Sequence, residues 1–313
     1  MDAITPNRRA GHLIAGSDEA ATTVRGSPAT PTSGLPLSRV SEDFGLGTTG
    51  LPSATADPLI GADCGGVRVE RLIAEGGMGR VYEGIQVALR RRVAVKFPRV
   101  DGWRRVDERR FRREAAVLAT LEHPGIPRIL GTGVHQVEGG PPRPCIVMEL
   151  VADARPITAW CREQGLSHEA RIELLLAVSE AMAHAHDRGV VHRDLKPANV
   201  LIDAAGKPRI VDFGVAAWSG SATVTTSVDG RVVGTPAYMS PEQREGMPAD
   251  SRCDIFALGV LAAELLTDAP PARAQVLLAE RSDPLARIVH RCLEIDSARR
   301  YPSARDLAAA LSE

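Results

Sequence analysis

The chain has 313 residues, 44% hydrophobic and 25% charged, with 38 Lys and Arg against 39 Asp and Glu for a net charge of -1. That length supports a sizeable core in about two domains or lobes, and the balanced charge excludes a global field for nucleic acid or an acidic membrane. Only 4% of residues are aromatic, which leaves little material for base-stacking platforms, so partners are to be sought in local sites.

Residues 1 to 60 contain 27 Gly, Pro, Ser or Thr, and Leu13, Ile14, Phe44 and Leu46 recur with neither helical nor strand period. Such a composition buries too little apolar area to offset the entropy of ordering, so residues 1–63 are predicted to be a disordered tail. The start has no apolar run of signal-peptide type, and no stretch approaches the roughly 18 apolar residues of a membrane span. Cys64, Cys145, Cys161, Cys253 and Cys292 are scattered without a Cys-x-x-Cys pair, a reducing-compartment pattern. A cytoplasmic location is expected.

From Val67 the texture changes to short β-rich runs at 67–73, 80–85 and 92–97, with turn residues between them. Residues 104–121 place Phe111, Ala115, Leu118 and Leu121 at helical spacing among arginines, which predicts an amphipathic helix. Two further strands, 128–134 and 145–149, flank a turn-rich stretch, and the first lobe ends near Leu150. The pattern then becomes helical. Ser167 is placed to cap a helix with Ile172, Leu175, Leu176, Ser179, Met182, Ala183 and His186 on one face, closed by Gly189. Residues 255–267, 284–293 and 303–311 are three more helical stretches, giving an α+β protein with a β-rich lobe and an α-rich lobe.

The segment Ala74-Glu75-Gly76-Gly77-Met78-Gly79-Arg80-Val81 joins two strands, and its glycines let backbone amides approach phosphate oxygens that a Cβ would hold off. Gly-rich hairpins are also ordinary turns, so this segment alone decides nothing. Lys96 ends the next strand, within reach of phosphates held under the loop. Two readings of Glu114 stand side by side: a carboxylate that fixes the Lys96 ammonium, or one that pairs with neighbouring arginines on a solvated face. The stretch His192-Arg193-Asp194-Leu195-Lys196-Pro197-Ala198-Asn199 packs a candidate base, a cation and an amide into eight residues. Asp212-Phe213-Gly214 begins 13 residues past Asn199, and a carboxylate and an amide oxygen on neighbouring turns suit Mg²⁺. His184 and His186, two apart on a helix, point to different faces and make no metal pair. The arginines between 104 and 113, interleaved with Asp107 and Glu108, read as a solvated face or a docking surface for a partner or a phosphorylated loop.

Taken in order, AEGGMGRV, VAVK, Glu114, HRDLKPAN, DFG, GTPAYMSPE and Asp254 resemble the signature set of the protein kinases over residues 64–313. EGGMG, FRREA, GTPAYMSPEQ and RRYPSA are similar to phrases of the bacterial eukaryotic-like serine/threonine kinases. The resemblance implies a bilobal kinase fold after the tail, with ATP between residues 64–150 and 151–313. It implies that Ala74, Gly76, Gly77 and Gly79 cover the ATP phosphates, that Lys96 contacts the first two phosphates, and that Glu114 orients Lys96. Asp194 would accept the proton of the substrate hydroxyl, Lys196 would offset charge at the γ-phosphate, and Asn199 and Asp212 would hold Mg²⁺. Met148 and the hinge Glu149-Leu150-Val151, with Val81, Ala94 and Leu201, would enclose adenine, although aliphatic residues on strands are more often plain core.

Thr235 resembles the threonine that contacts the catalytic Asp and Lys. Arg193 implies a phosphate switch between the DFG motif and Ser240-Pro241-Glu242, where Thr223, Thr225, Thr226 and Ser227 are the expected autophosphorylation sites, modified in trans through transient self-association. Glu242 is expected to pair with Arg300, and Asp254 with the backbone of the catalytic loop. There are two departures. Ala74 replaces the first glycine of the loop, and only 16 residues, Asp268 to Asp283, stand where the family has a longer segment with a further helix and part of the substrate-docking surface. The expected activity is ATP- and Mg²⁺-dependent phosphorylation of Ser/Thr in protein substrates, with no nucleic-acid or membrane partner. A nucleotide-binding regulatory module and a small-molecule kinase are the alternatives.

Overall fold

The computed structural model describes residues 57–76, 79–98, 108–137, 142–213 and 236–313. Strands β1 (Val67–Gly76), β2 (Gly79–Gln86), β3 (Arg91–Pro98), β4 (Ile129–His135) and β5 (Arg143–Glu149) form an antiparallel sheet in the order β1-β2-β3-β5-β4. Strand alternation gives it two unlike faces. Val93, Val95 and Phe97 join Cys145, Val147, Val67, Val69 and Tyr82 in a small core. Between them Ala94, Lys96, Ile146 and Met148 turn to the opposite face, where Lys96, Ile146 and Met148 line a common cavity. The helix α1 (Glu108–Leu118) contributes Phe111 and Leu118 to the larger core, joined by Leu121 just beyond its end. Residues 104–107 of the predicted helix lie outside the described residues.

The folded unit begins earlier than composition suggests. Leu59 is buried in the small core, the Gly61 N–H donates to the Val69 carbonyl at 2.8 Å, and the Tyr82 hydroxyl donates to Asp57 Oδ2 at 2.8 Å. One leucine and a few hydrogen bonds dock residues 57–63, and such sparse anchors escape any compositional window. Residues 1–56 lie outside the described residues.

Beyond β5 come β6 (Arg155–Pro156), α2 (Ile157–Glu163) and the long α3 (His168–His186). Ser167 caps α3 by accepting the Ala170 N–H at 3.3 Å, and Gly189, at φ 72°, turns the chain just past its end. β7 (Val200–Ile202) and β8 (Pro208–Ile210) complete a small sheet with β6. The one-turn α4 (Pro241–Arg244) precedes α5 (Arg252–Thr267), in which every residue from Cys253 to Leu266 is buried. A helix covered on all sides is a core helix, and α3, α6 (Pro271–Ala279) and α7 (Pro284–Cys292) pack around it, with α8 (Ala304–Leu311) on α3.

The helix α6 corrects the expectation for the short link after Thr267, which holds a helix after all. Pro271 stands in its first turn, where a fixed φ is already helical, and Ala274 and Leu278 are buried beneath it. In α5, a Cβ on Gly259 would stand 2.6 Å from the Cys292 Cβ of α7. Gly259→Ala is therefore expected to force α7 outward and to cost about 1–3 kcal/mol, measured as a lower denaturation midpoint; an unchanged midpoint would contradict this close approach.

Candidate active site

β1 and β2 close a hairpin in which Ala74 faces Val81 and Gly76 faces Gly79. Gly79 has φ 139°, and a Cβ there would stand 2.1 Å from the Phe97 carbonyl oxygen, so glycine is required. At Gly76 an added Cβ meets nothing within 4 Å, so its bareness serves no packing need and leaves the backbone open to a ligand. Gly77 lies outside the described residues. Ala74 keeps its Cβ on an extended strand, where it is tolerated.

Lys96 lies opposite Val81 on β2 and Ile146 on β5, and its side chain is 2% exposed. Its Nζ stands 2.7 Å from Asp212 Oδ1. Burial pushes the Lys96 pKa down, against the pull of Asp212 and Asp194. Asp194 and Lys196 also bear on the Lys96 charge, and Glu114 is half-buried on α1.

The catalytic-loop residues come together as their spacing suggests. Lys196 Nζ is 2.7 Å from Asp194 Oδ2, and Asn199 Nδ2 donates to the Asp194 carbonyl at 2.7 Å. The Val211 N–H donates to the Asn199 carbonyl at 2.9 Å, which brings the turn bearing Asp212 against the one bearing Asn199. With its Nδ2 committed to Asp194, Asn199 presents Oδ1 as an acceptor, and Asp212 is one-quarter exposed. Two protein oxygens suit Mg²⁺, which completes its shell with water and phosphate oxygens. Arg193 and Asp212 both adopt left-handed backbone, at φ 66° and 68°, and non-glycine residues hold such conformations where surrounding bonds enforce them.

At Arg193, Asp254 of α5 supplies that enforcement. Its Oδ2 accepts the His192 N–H and its Oδ1 the Arg193 N–H, both at 2.8 Å, and His186 Nε2 lies 2.9 Å from Oδ2. Burial pushes the Asp254 pKa up, but the bonds from His186 and His192 outweigh it and leave the carboxyl below the ordinary aspartate range. Gln243 of α4 adds a bond that sequence reasoning missed, donating from Nε2 to the Arg193 carbonyl at 2.8 Å. Arg300 pairs bidentately with Glu242, at 2.7 and 2.8 Å, as expected.

Around the hinge, Ala94 lies opposite Met148 and Val93 opposite Glu149, and Arg209 Nη2 is 3.0 Å from Glu149 Oε2. Val151 and Leu201 are half-buried. Behind Met148 lies a cavity walled by Leu118, Ile126, Ile146 and Phe213 with Lys96 and Asp212 at its polar side, which no local pattern announced. Gly214, Thr223, Thr225, Thr226, Ser227 and Thr235 lie outside the described residues.

The family model described as protein kinase domain matches residues 67–310. The chain is 37% identical over 236 residues to the serine/threonine-protein kinase Pkn1 of Myxococcus xanthus, an alignment covering 72% of this chain and 32% of that protein. It is 38% identical over 217 residues to the serine/threonine-protein kinase PknA of Mycobacterium tuberculosis, covering 68% of this chain and 50% of the relative. The chain therefore spans about a third to a half of the length of these curated relatives. Among solved structures, the Mycobacterium tuberculosis PknI kinase domain, as its C20A mutant, superposes with a TM-score of 0.63 at 28% identity, covering 81% of this chain and 97% of that one.

Proposed function

We propose, for a chain that belongs to the protein kinase family in its bacterial eukaryotic-like serine/threonine branch, ATP- and Mg²⁺-dependent transfer of the γ-phosphoryl group to Ser and Thr hydroxyls of protein substrates in the cytoplasm. What carries this reading is the convergence of Asp194, Lys196 and Asn199 with the Lys96–Asp212 pair. Asp194 takes the hydroxyl proton as the oxygen attacks phosphorus. Lys196, 2.7 Å from that carboxylate, keeps a positive charge beside both the base and the transferring group. Lys96 exchanges Asp212 for the first two phosphates, and the burial that lowers its pKa strengthens that contact. Asn199 and Asp212 would hold Mg²⁺, which would neutralise phosphate charge there. Gly76, Gly77 and Gly79 cover the phosphates, Met148, Glu149, Val151, Val81, Ala94 and Leu201 enclose adenine, and Thr223, Thr225, Thr226 and Ser227 take phosphate in trans through transient self-association.

The test is transfer from γ-labelled ATP and Mg²⁺ to the chain itself and to a generic basic protein, with and without chelator. Phosphoserine and phosphothreonine that vanish with chelator are the expected result. Nucleotide binding without labelling, or ATP turnover on a small molecule alone, would overturn the proposal.

A further inference from the structure

The turn between α1 and β4 is fastened to the second lobe by two imidazoles. Within the turn, the Gly125 N–H donates to His123 Nδ1 at 3.0 Å and the Ile126 N–H to the His123 carbonyl at 3.0 Å. The Gly125 carbonyl accepts the Ile210 N–H of β8 at 2.7 Å, and a Cβ at Gly125 would stand 3.0 Å from the Ala181 Cβ of α3, so the turn lies flush on both elements. The His123 ring rests against that of His184 on α3, with centroids 5.1 Å apart and planes tilted by 44°. His184 Nδ1 lies 3.3 Å from Arg188 Nη1, and its Nε2 is buried with no hydrogen-bond partner among the described residues.

Each Nδ1 therefore already receives a hydrogen from a group that can only donate. A proton added at Nδ1 must break that bond, because an imidazolium has no acceptor left. Protonating both rings would also set two like charges on rings 5.1 Å apart in a partly desolvated contact. We propose that His123 and His184 form an acid-sensitive clasp, which holds the α1–β4 turn on α3 and β8 while both rings are neutral and releases it when either is protonated. The charged groups around the pair are Glu122 of the turn, Glu180 and Arg188 on and just past α3, and Asp187, which Arg305 of α8 engages. Burial, with His184 acting on His123 and Arg188 acting on His184, outweighs these carboxylates and keeps both imidazoles below the ordinary histidine value.

The sign follows from linkage. The unfolded rings titrate near 6.5, so the clasp stabilises fully above about pH 6.5 and loses its contribution as pH falls toward the folded values. Release reaches the site through the backbone. Ile210 stands two residues before Asp212, and Ile126 lines the cavity shared by Asp212 and Phe213.

The test reads amide hydrogen exchange at Ile210 and the NMR titration of both rings in the full chain, neither of which depends on catalysis. His123→Asn keeps an acceptor near the Nδ1 position that does not titrate. At pH 5.5 the Ile210 amide of the unaltered chain is expected to exchange about tenfold faster than in His123→Asn, and at pH 7.5 within about twofold. His184→Gln, which alters no backbone bond, is expected to raise the His123 pKa toward 6.5 and to start the acceleration at higher pH. It keeps the proposal testable if Asn is not tolerated at 123. Equal exchange at pH 5.5, a His123 titration at or above the ordinary value in the unaltered chain, or no response to His184→Gln would each overturn the clasp.

Discussion

Asp194→Asn is expected to fold as the unaltered chain does and to transfer phosphate about 10³-fold more slowly. Two of the bonds that place residue 194 run through its backbone. Its N–H lies 3.3 Å from His192 Nδ1 and its carbonyl accepts Asn199 Nδ2 at 2.7 Å, and an amide side chain disturbs neither. What is lost is the carboxylate, which lies 2.7 Å from Lys196 Nζ. An amide cannot take the proton of an attacking hydroxyl, and Lys196 is left without its countercharge. Initial rates at saturating ATP, measured beside the thermal midpoint, separate the two effects. A rate within tenfold of the unaltered chain would remove Asp194 as the base.

Local chemistry made much of this legible in the sequence. The alternation of Val93, Val95 and Phe97 with Ala94 and Lys96 follows from strand geometry, so a lysine on the cleft face of β3 could be read directly. Asp194, Lys196 and Asn199 are near one another in space because they are near one another in the chain. The same holds for Ser167, whose capping role depends on residues three positions away.

Where two partners are far apart in sequence, residue type stopped being informative. Glu114 was the carboxylate read for Lys96 and Asp212 was read only as a metal ligand; that Asp212 lies 2.7 Å from the Lys96 Nζ depends on how the turn after β8 sits against β3, which no local pattern encodes. Gln243 looks like a helix-capping residue and does cap α4, yet its Nε2 also reaches the Arg193 carbonyl 50 residues away. Leu59 and α6 were missed for a different reason. Composition over residues 1–63 outweighed the one apolar residue that the small core recruits, and the 16 residues from Asp268 to Asp283 were set against a longer family segment and so read without a helix.

Asp254→Asn is expected to damage both fold and catalysis, in contrast to Asp194→Asn. The Asp254 carboxyl is 1% exposed and its two oxygens receive the His192 N–H, the Arg193 N–H and His186 Nε2. An amide turns one of those oxygens into a donor facing donors, a defect of the size of a broken buried pair, about 3–5 kcal/mol. In a domain of this length that lowers the melting midpoint by roughly 10 °C. Arg193, at φ 66°, is held in its left-handed conformation partly by Asp254, so its release also displaces the neighbouring Asp194 and lowers the transfer rate. The pH dependence has a definite sign. Because the folded Asp254 pKa is depressed, its stabilisation is complete above the unfolded value of about 3.9 and is lost as pH falls through the folded value. The variant lacks that titration, so its stability is expected to decline less steeply than that of the unaltered chain in acid below about pH 4. Parallel acid-unfolding curves for the two chains would place the acid-labile group elsewhere, whereas convergence at low pH would identify Asp254 as the carboxylate that ties the catalytic loop to the core helix.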